Sequence, residues 1–340
     1  MRIDVHTHIV PQRWDDFAGK YGGGNWPRLV HDGPCRATIM TGDEAFRRVT
    51  DQVFSPERRI EDMDRLGIQM QVLSPPPIMF CYWAEPRAAQ AFCRVQNENV
   101  ATIAALHPDR FIGMATVPLQ DPPLAIAELR YCVERLGLGA VEIGTCPAGR
   151  DFDDPVLFEF FAAACDLGVA VFVHPAGPLI GAERMGRYYF PLIVGNPLEI
   201  ALAVSKLIFG GILERLPDLR MCFAHGGGAF PFTLARLEHG WHVRPEGPAA
   251  IPRPPSAYAR LLYFDSLTLS AANLRFLVQA FGTERVVMGS DYPFDMGDPD
   301  PVRSLASAGL SAEARMAVEG GNAVRFLAIP SKQTARGRTE

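Results

Sequence analysis

The 340-residue sequence predicts an α/β fold, a (β/α)8 TIM barrel with a small insertion after strand 1, and two observations carry that expectation. Short apolar runs recur eight times, each followed by a longer stretch with helical spacing. The runs are apolar at consecutive positions, as strands are when helices cover them outside and side chains fill the space within. A doubly wound open sheet is the alternative for the same alternation.

Residues 3–5 open the series. The interval 10–55 breaks it: it is rich in Gly and Pro around Tyr21-Gly22-Gly23-Gly24-Asn25-Trp26-Pro27, with short alternating pieces near Leu29 and Ile39. It reads as an insertion, and in a barrel an insertion at that point lies over the active face. Further strands are expected at 70–73, 111–117, 140–143, 169–173, 220–223, 261–264 and 286–288. Helices are expected at 57–66, 85–106, 123–136, 155–167, 197–209, 230–239, 271–281 and 312–320, with a proline-rich loop at 245–258. These elements form one barrel domain over residues 1–330, followed by a polar tail, 331–340, that is expected to fray.

Composition excludes several classes of function. Apolar residues make up 48% and charged residues 21%, the balance of an ordinary globular protein with enough buried surface for a core. A formal charge of -5 with scattered basic residues offers no track for phosphates, so nucleic acid is not an expected partner. The cysteines, Cys35, Cys81, Cys93, Cys132, Cys146, Cys165 and Cys222, are seven in number and never in a C-x-x-C pair, as thiols are in a reducing compartment. Neither a signal-peptide pattern nor an unbroken apolar run of about 18 residues occurs. A soluble cytoplasmic protein with no membrane partner is expected.

The chemistry lies at strand ends. His6 and His8 are two apart on the first strand and so point the same way, a spacing suited to a metal. The fifth strand runs into His174-Pro175, the sixth into His225-Gly226-Gly227-Gly228, and the eighth into Asp291-Tyr292-Pro293. Apolar strands that finish in ionisable groups are costly as core devices. All of these groups fall at the C-terminal edge, where barrel enzymes place catalysis. Glycines 226 to 228 lack the Lys-Ser/Thr pair of a phosphate loop and are expected to let the backbone pass close to the site. His31 sits in the insertion without informative spacing. His107 reads as a helix cap or surface residue, and His239 and His242 as surface or interface residues; Asp265 ends the seventh strand and could line the pocket, but reads first as a solvated loop carboxylate.

This constellation resembles the amidohydrolase superfamily, in which H-x-H on strand 1, His on strands 5 and 6 and Asp on strand 8 surround one or two divalent metals. The resemblance spans Arg2 to about Ile329. Two-metal members carry a bridging lysine at the end of strand 4. Here that strand reads Gly139-Ala140-Val141-Glu142-Ile143-Gly144, and Lys20, Lys206 and Lys332 all lie elsewhere, so one metal is implied. Phe54-Ser55-Pro56, Val117-Pro118-Leu119-Gln120, the run from Phe223 to Phe232, Gly289-Ser290-Asp291-Tyr292-Pro293-Phe294 and Gly321-Asn322-Ala323 are similar to the aminocarboxymuconate-semialdehyde decarboxylase family within it. That resemblance implies that His6, His8, His174 and Asp291 bind one zinc ion and that His225 stands beside it as acid/base. It also implies that Arg47 and Arg236 hold substrate carboxylates, Arg236 across a homodimer interface.

The chain departs from that family where Thr41-Gly42-Asp43-Glu44 replaces a lysine-bearing piece and where Ala176, Tyr189 and Leu192 replace tryptophans. The expected activity is zinc-dependent, nonoxidative decarboxylation of an unsaturated or aromatic carboxylic acid, with 2-amino-3-carboxymuconate 6-semialdehyde first among the acids. The alternative is a metal-dependent hydrolase or hydratase on the same barrel, acting on a lactone, amide or unsaturated dicarboxylate. A catalytically silent metal-binding protein is a third class, disfavoured by the full set of ionisable strand ends.

Overall fold

The computed structural model describes residues 1–330; the predicted tail lies outside the described residues. Eleven strands are present among them: β1 (Ile3–His8), β2 (Pro27–Gly33), β3 (Arg36–Thr41), β4 (Glu44–Thr50), β5 (Met70–Ser74), β6 (Phe111–Gly113), β7 (Ala140–Gly144), β8 (Ala170–His174), β9 (Met221–Phe223), β10 (Tyr263–Asp265) and β11 (Val286–Val287). Eight of them are parallel and follow chain order, β1-β5-β6 in one run and β7-β8-β9-β10-β11 in another. Single parallel bridges join the runs, Ala115 to Val141 and Thr7 to Tyr292. Val5 N donates to Met288 O at 2.9 Å across the second seam. The sheet is therefore closed, and the open alternative falls away.

Helices on the outside start and stop where the local chemistry dictates. Ser55 accepts from Arg58 N and Pro56 occupies the first turn of the helix Pro56–Leu66, which Gly67 ends in a left-handed conformation; Pro lacks only a donor that would be free there anyway, and Gly tolerates positive φ. Asp121, Pro122 and Gly137 repeat the device around Pro122–Leu136. The predicted loop at 245–258 instead holds two short helices, Glu246–Ala250 and Pro255–Ala259, the second opening on proline, whose missing donor would be free there anyway. One stretch, Pro191–Phe209, is long and apolar enough to cross a bilayer by length and composition, with a mean hydropathy of 1.7. Its Ile200, Val204, Leu207 and Ile208 are buried in the main core, so the apolar face is already used within the barrel.

The insertion folds as a three-stranded antiparallel sheet, β2-β3-β4. The short alternating pieces foresee β2 and β3, whereas β4 (EAFRRVT), largely exposed, has no apolar face to announce it. Beneath lies a separate cluster in which Phe17, Trp26, Val53 and Phe54 pack with Met79 and Phe92. The insertion is thereby fixed over the C-terminal mouth of the barrel.

Candidate metal centre and active site

β1 and β8 end in His8 and His174, and the residues following β9 and β11 include His225 and Asp291. His225 and Asp291 have φ of 55° and 60°, a left-handed backbone that costs a non-glycine residue about 1 kcal/mol or more. Such strain collects at functional sites. Gly289 is needed below them, because a Cβ there would lie 2.9 Å from the Cβ atoms of both His6 and Asp265.

The imidazoles crowd one point: the ring centroids of His6 and His8 are 5.1 Å apart, of His6 and His174 5.2 Å, and of His174 and His225 4.8 Å. One ligating atom from each of His6, His174, His225 and Asp291 falls within 4.8 Å of every other. His8 Nε2 lies 3.0 Å from Asp291 Oδ1. His6 Nε2, His8 Nε2, His174 Nε2 and Asp291 Oδ1 are all buried and lack a hydrogen-bond partner. Such orphaned atoms are expensive unless something meets them, and three neutral imidazole nitrogens with one carboxylate oxygen fit a divalent cation. These atoms belong to the residues that the resemblance implies as ligands; both Glu142 carboxylate oxygens are orphaned as well, and His225 Nε2 lies 3.8 Å from Asp291 Oδ2, inside the group that closes within 4.8 Å.

The other edges of these rings are occupied in the manner of metal ligands. His6 Nδ1 donates to Asp265 Oδ2 at 2.6 Å and His174 Nδ1 to Pro175 O at 3.1 Å. His8 Nδ1 faces Glu142 Oε2 at 3.8 Å and Ser74 Oγ at 3.4 Å. Burial holds the His174 imidazolium well below the usual range, reinforced by its imidazole neighbours, and burial lowers His6 too. For His8 burial pulls the same way, but Glu142 and Asp291 outweigh it and raise the value. Burial opposes ionisation of Asp291, yet His6, His225 and His8 hold its carboxyl well below the usual carboxylate range. Burial pushes Glu142 up to about 7, against the pull of His8.

Two residues change standing against expectation. Asp265 is not a solvated loop carboxylate: it is 0% exposed, accepts from His6, and takes the backbone N–H groups of His225, Gly226 and Leu267 at 3.0, 2.8 and 3.0 Å. Four donors stabilise a buried carboxylate that would otherwise be intolerable. Glu142 has no counterpart among the sequence-predicted site residues, although a carboxylate in the middle of the apolar run Ala140–Gly144 is itself the signal. Gly226, Gly227 and Gly228 all have positive φ, as a backbone turning close to the site requires.

Above the centre opens a cavity of about 460 Å³, walled mainly by apolar side chains such as Ile78, Leu192, Phe232, Phe276 and Phe294. Arg47, on β4, reaches it from the insertion. Its guanidinium donates to Asp295 Oδ1 at 2.9 Å and to the Tyr189 hydroxyl, and its carbon stacks 4.9 Å from the centre of the Phe294 ring. Arg236 lies exposed on the helix Phe230–Val243 and does not line the cavity of its own chain. His239 and His242 share that helix and are exposed, His107 caps the helix Pro86–Leu106, and His31 faces Gln12 O at 2.9 Å; none lines the cavity. Of the positions that depart from the decarboxylase pattern, Leu192 lines the cavity and Tyr189 meets Arg47, while Ala176 and the Thr41–Glu44 turn do neither.

Known proteins resemble this chain in sequence and in fold. The family model described as Amidohydrolase matches residues 3–329. A 2-amino-3-carboxymuconate-6-semialdehyde decarboxylase of Dictyostelium discoideum is 40% identical across 98% of this chain and 93% of its own length. The Caenorhabditis elegans protein of the same description is 31% identical, covering 96% and 94%. The crystal structure of Metarhizium anisopliae IDCase in apo form is similar in fold, with a TM-score of 0.82 and 24% identity over 96% of this chain and 97% of that one.

Proposed function

The chain belongs to the amidohydrolase family, and from that premise we propose that it is a metal-dependent decarboxylase of an unsaturated or aromatic carboxylic acid, acting without an oxidant. The orphaned quartet His6, His8, His174 and Asp291 carries the metal part of this reading, and the two decarboxylase relatives, identical at 40% and 31% of positions, carry the reaction. We take zinc as the metal, because His3Asp suits it, and 2-amino-3-carboxymuconate 6-semialdehyde as the first candidate acid. We also read the protein as a cytoplasmic homodimer, with Arg236 reaching the neighbouring subunit's cavity.

A divalent cation held by the quartet supplies Lewis acidity and acidifies a water. The protein's own residues do the rest. His225 stands at the mouth where it can carry a proton to the carbon that bears the leaving carboxylate. Once that carbon is protonated, the carbon–carbon bond breaks, carbon dioxide departs, and the electron pair left behind restores the double bond or the ring. Asp265 holds two parts of this arrangement together: its carboxylate fixes the His6 tautomer and receives the backbone N–H of His225. Arg47 offers a planar donor to a polar group at the far end of the substrate, and the apolar walls exclude water from a carboxylate about to leave as neutral gas.

The test is metal analysis joined to gas release. The purified protein is expected to carry about one divalent ion per chain and to release carbon dioxide from the candidate acid. Chelation is expected to abolish release, and added metal to restore it. Water incorporated into product with no gas would overturn the decarboxylase reading, and turnover unaffected by complete metal removal would overturn the metal.

A further inference from the structure

We propose that Glu142 is a positioning residue for the metal centre, kept at a cost to the stability of the metal-free barrel: its buried carboxylate holds the His8 ring with the proton on Nδ1, so that Nε2 is turned to the cation. This rests on the metal part of the reading above and goes beyond the four ligands named there.

Glu142 is 0% exposed and stands in the middle of β7. It pairs in register with Phe172, whose ring lies 4.9 Å from that of His6, while Gly144 pairs with His174. Side chains two apart share one face of a strand, so Glu142 looks into the barrel beneath the centre. Around His8 Nδ1 the structure places acceptors: Glu142 Oε2 at 3.8 Å, and Ser74 Oγ at 3.4 Å, whose own proton goes to Thr7 O at 3.0 Å. A neutral ring nitrogen among acceptors carries the proton, which leaves the lone pair on Nε2. At 3.8 Å the carboxylate acts on that proton through its charge, beyond hydrogen-bond reach. Asp265 and Glu142 thus back two histidines on different terms. Asp265 accepts from four donors, whereas neither Glu142 oxygen has a donor among the described residues. A buried carboxylate without donors destabilises the fold that holds it, and a neutral side chain of the same shape is more stable in such a place. The counter-charge missing around Glu142 is the one that His8 would hold.

The experiment compares the wild type with Glu142→Gln and Glu142→Leu by two readouts, zinc affinity in a chelator competition and the melting temperature of the metal-free protein. Glu142→Leu is expected to weaken zinc binding about 10–100-fold. Glu142→Gln, which keeps an acceptor oxygen and loses the charge, is expected to weaken it about 3–10-fold. Metal-free Glu142→Gln is expected to melt about 1–5 °C above the metal-free wild type. These opposed signs are the signature, because loss of a group that only packs would lower the melting temperature and leave the affinity alone. Wild-type zinc affinity in Glu142→Gln, or a metal-free Glu142→Gln that melts below the wild type, would each overturn the proposal, and that variant carries both readouts should Glu142→Leu fail to fold. A wild type that takes up no zinc would sink the metal reading itself, a result distinct from either of these.

Discussion

The barrel mouth and the rim above it are built on opposite terms. At the mouth, His6, His8 and His174 are no more than 7% exposed, and each ring is backed by a buried or backbone partner. At the rim, Arg47 is held by a carboxylate that is itself mostly in water and by a tyrosine that is 43% exposed. Buried hydrogen-bonded charge is expensive to disturb, whereas an exposed pair is worth about 0–1 kcal/mol. The mouth is thus suited to fixing whether a reaction occurs, and the rim to adjusting which acid is admitted.

Substitutions separate the two regions. The largest effect is expected at the mouth from His225→Asn, which removes the proposed proton carrier but none of the four proposed ligands: carbon dioxide release falls about 10²–10⁴-fold, while metal content by elemental analysis stays at the wild-type level. Retained turnover would show that the proton comes from elsewhere. Asp265→Asn keeps the shape but removes the charge that fixes His6, and metal affinity in a chelator competition is expected to drop about 10–100-fold. An unchanged affinity would make Asp265 a purely structural group. Arg47→Ala at the rim is expected to raise KM about tenfold with a much smaller change in kcat. A collapse of kcat with little change in KM would erase the division between mouth and rim.

The two regions also differ in how far they could be read from residues alone. His6, His8, His174, His225 and Asp291 were legible because each interrupts or ends an apolar run, a pattern that burial makes costly and therefore informative. All eight barrel strands were legible for the same reason, since both faces of each are covered. Asp265 was misread because β10 is only three residues long and the donors that neutralise its burial come from segments 2 to 259 positions away. Glu142 was passed over although it lies within a strand already identified. β4 escaped because most of its residues are exposed and leave no hydrophobic period around the half-buried Arg47. The partners of Arg47, 142 and 248 positions distant, are set by folding and not by any local spacing.

One further buried cation ties these parts together. Arg59 is 0% exposed and donates to His8 O at 2.6 Å, Thr7 Oγ1 at 2.7 Å, Gln52 O at 3.1 Å and Gln71 Oε1 at 3.2 Å, with its carbon 4.7 Å from the Tyr292 ring centre. Its acceptors come from the first strand, the returning end of the insertion and the neighbouring strand. If the insertion peeled away at Gln52, a desolvated guanidinium would be left short of an acceptor directly behind His8. The covering sheet is thus pegged by a buried charge as well as by its apolar underside, and it cannot lift at Gln52 without stripping an acceptor from the cation that braces His8.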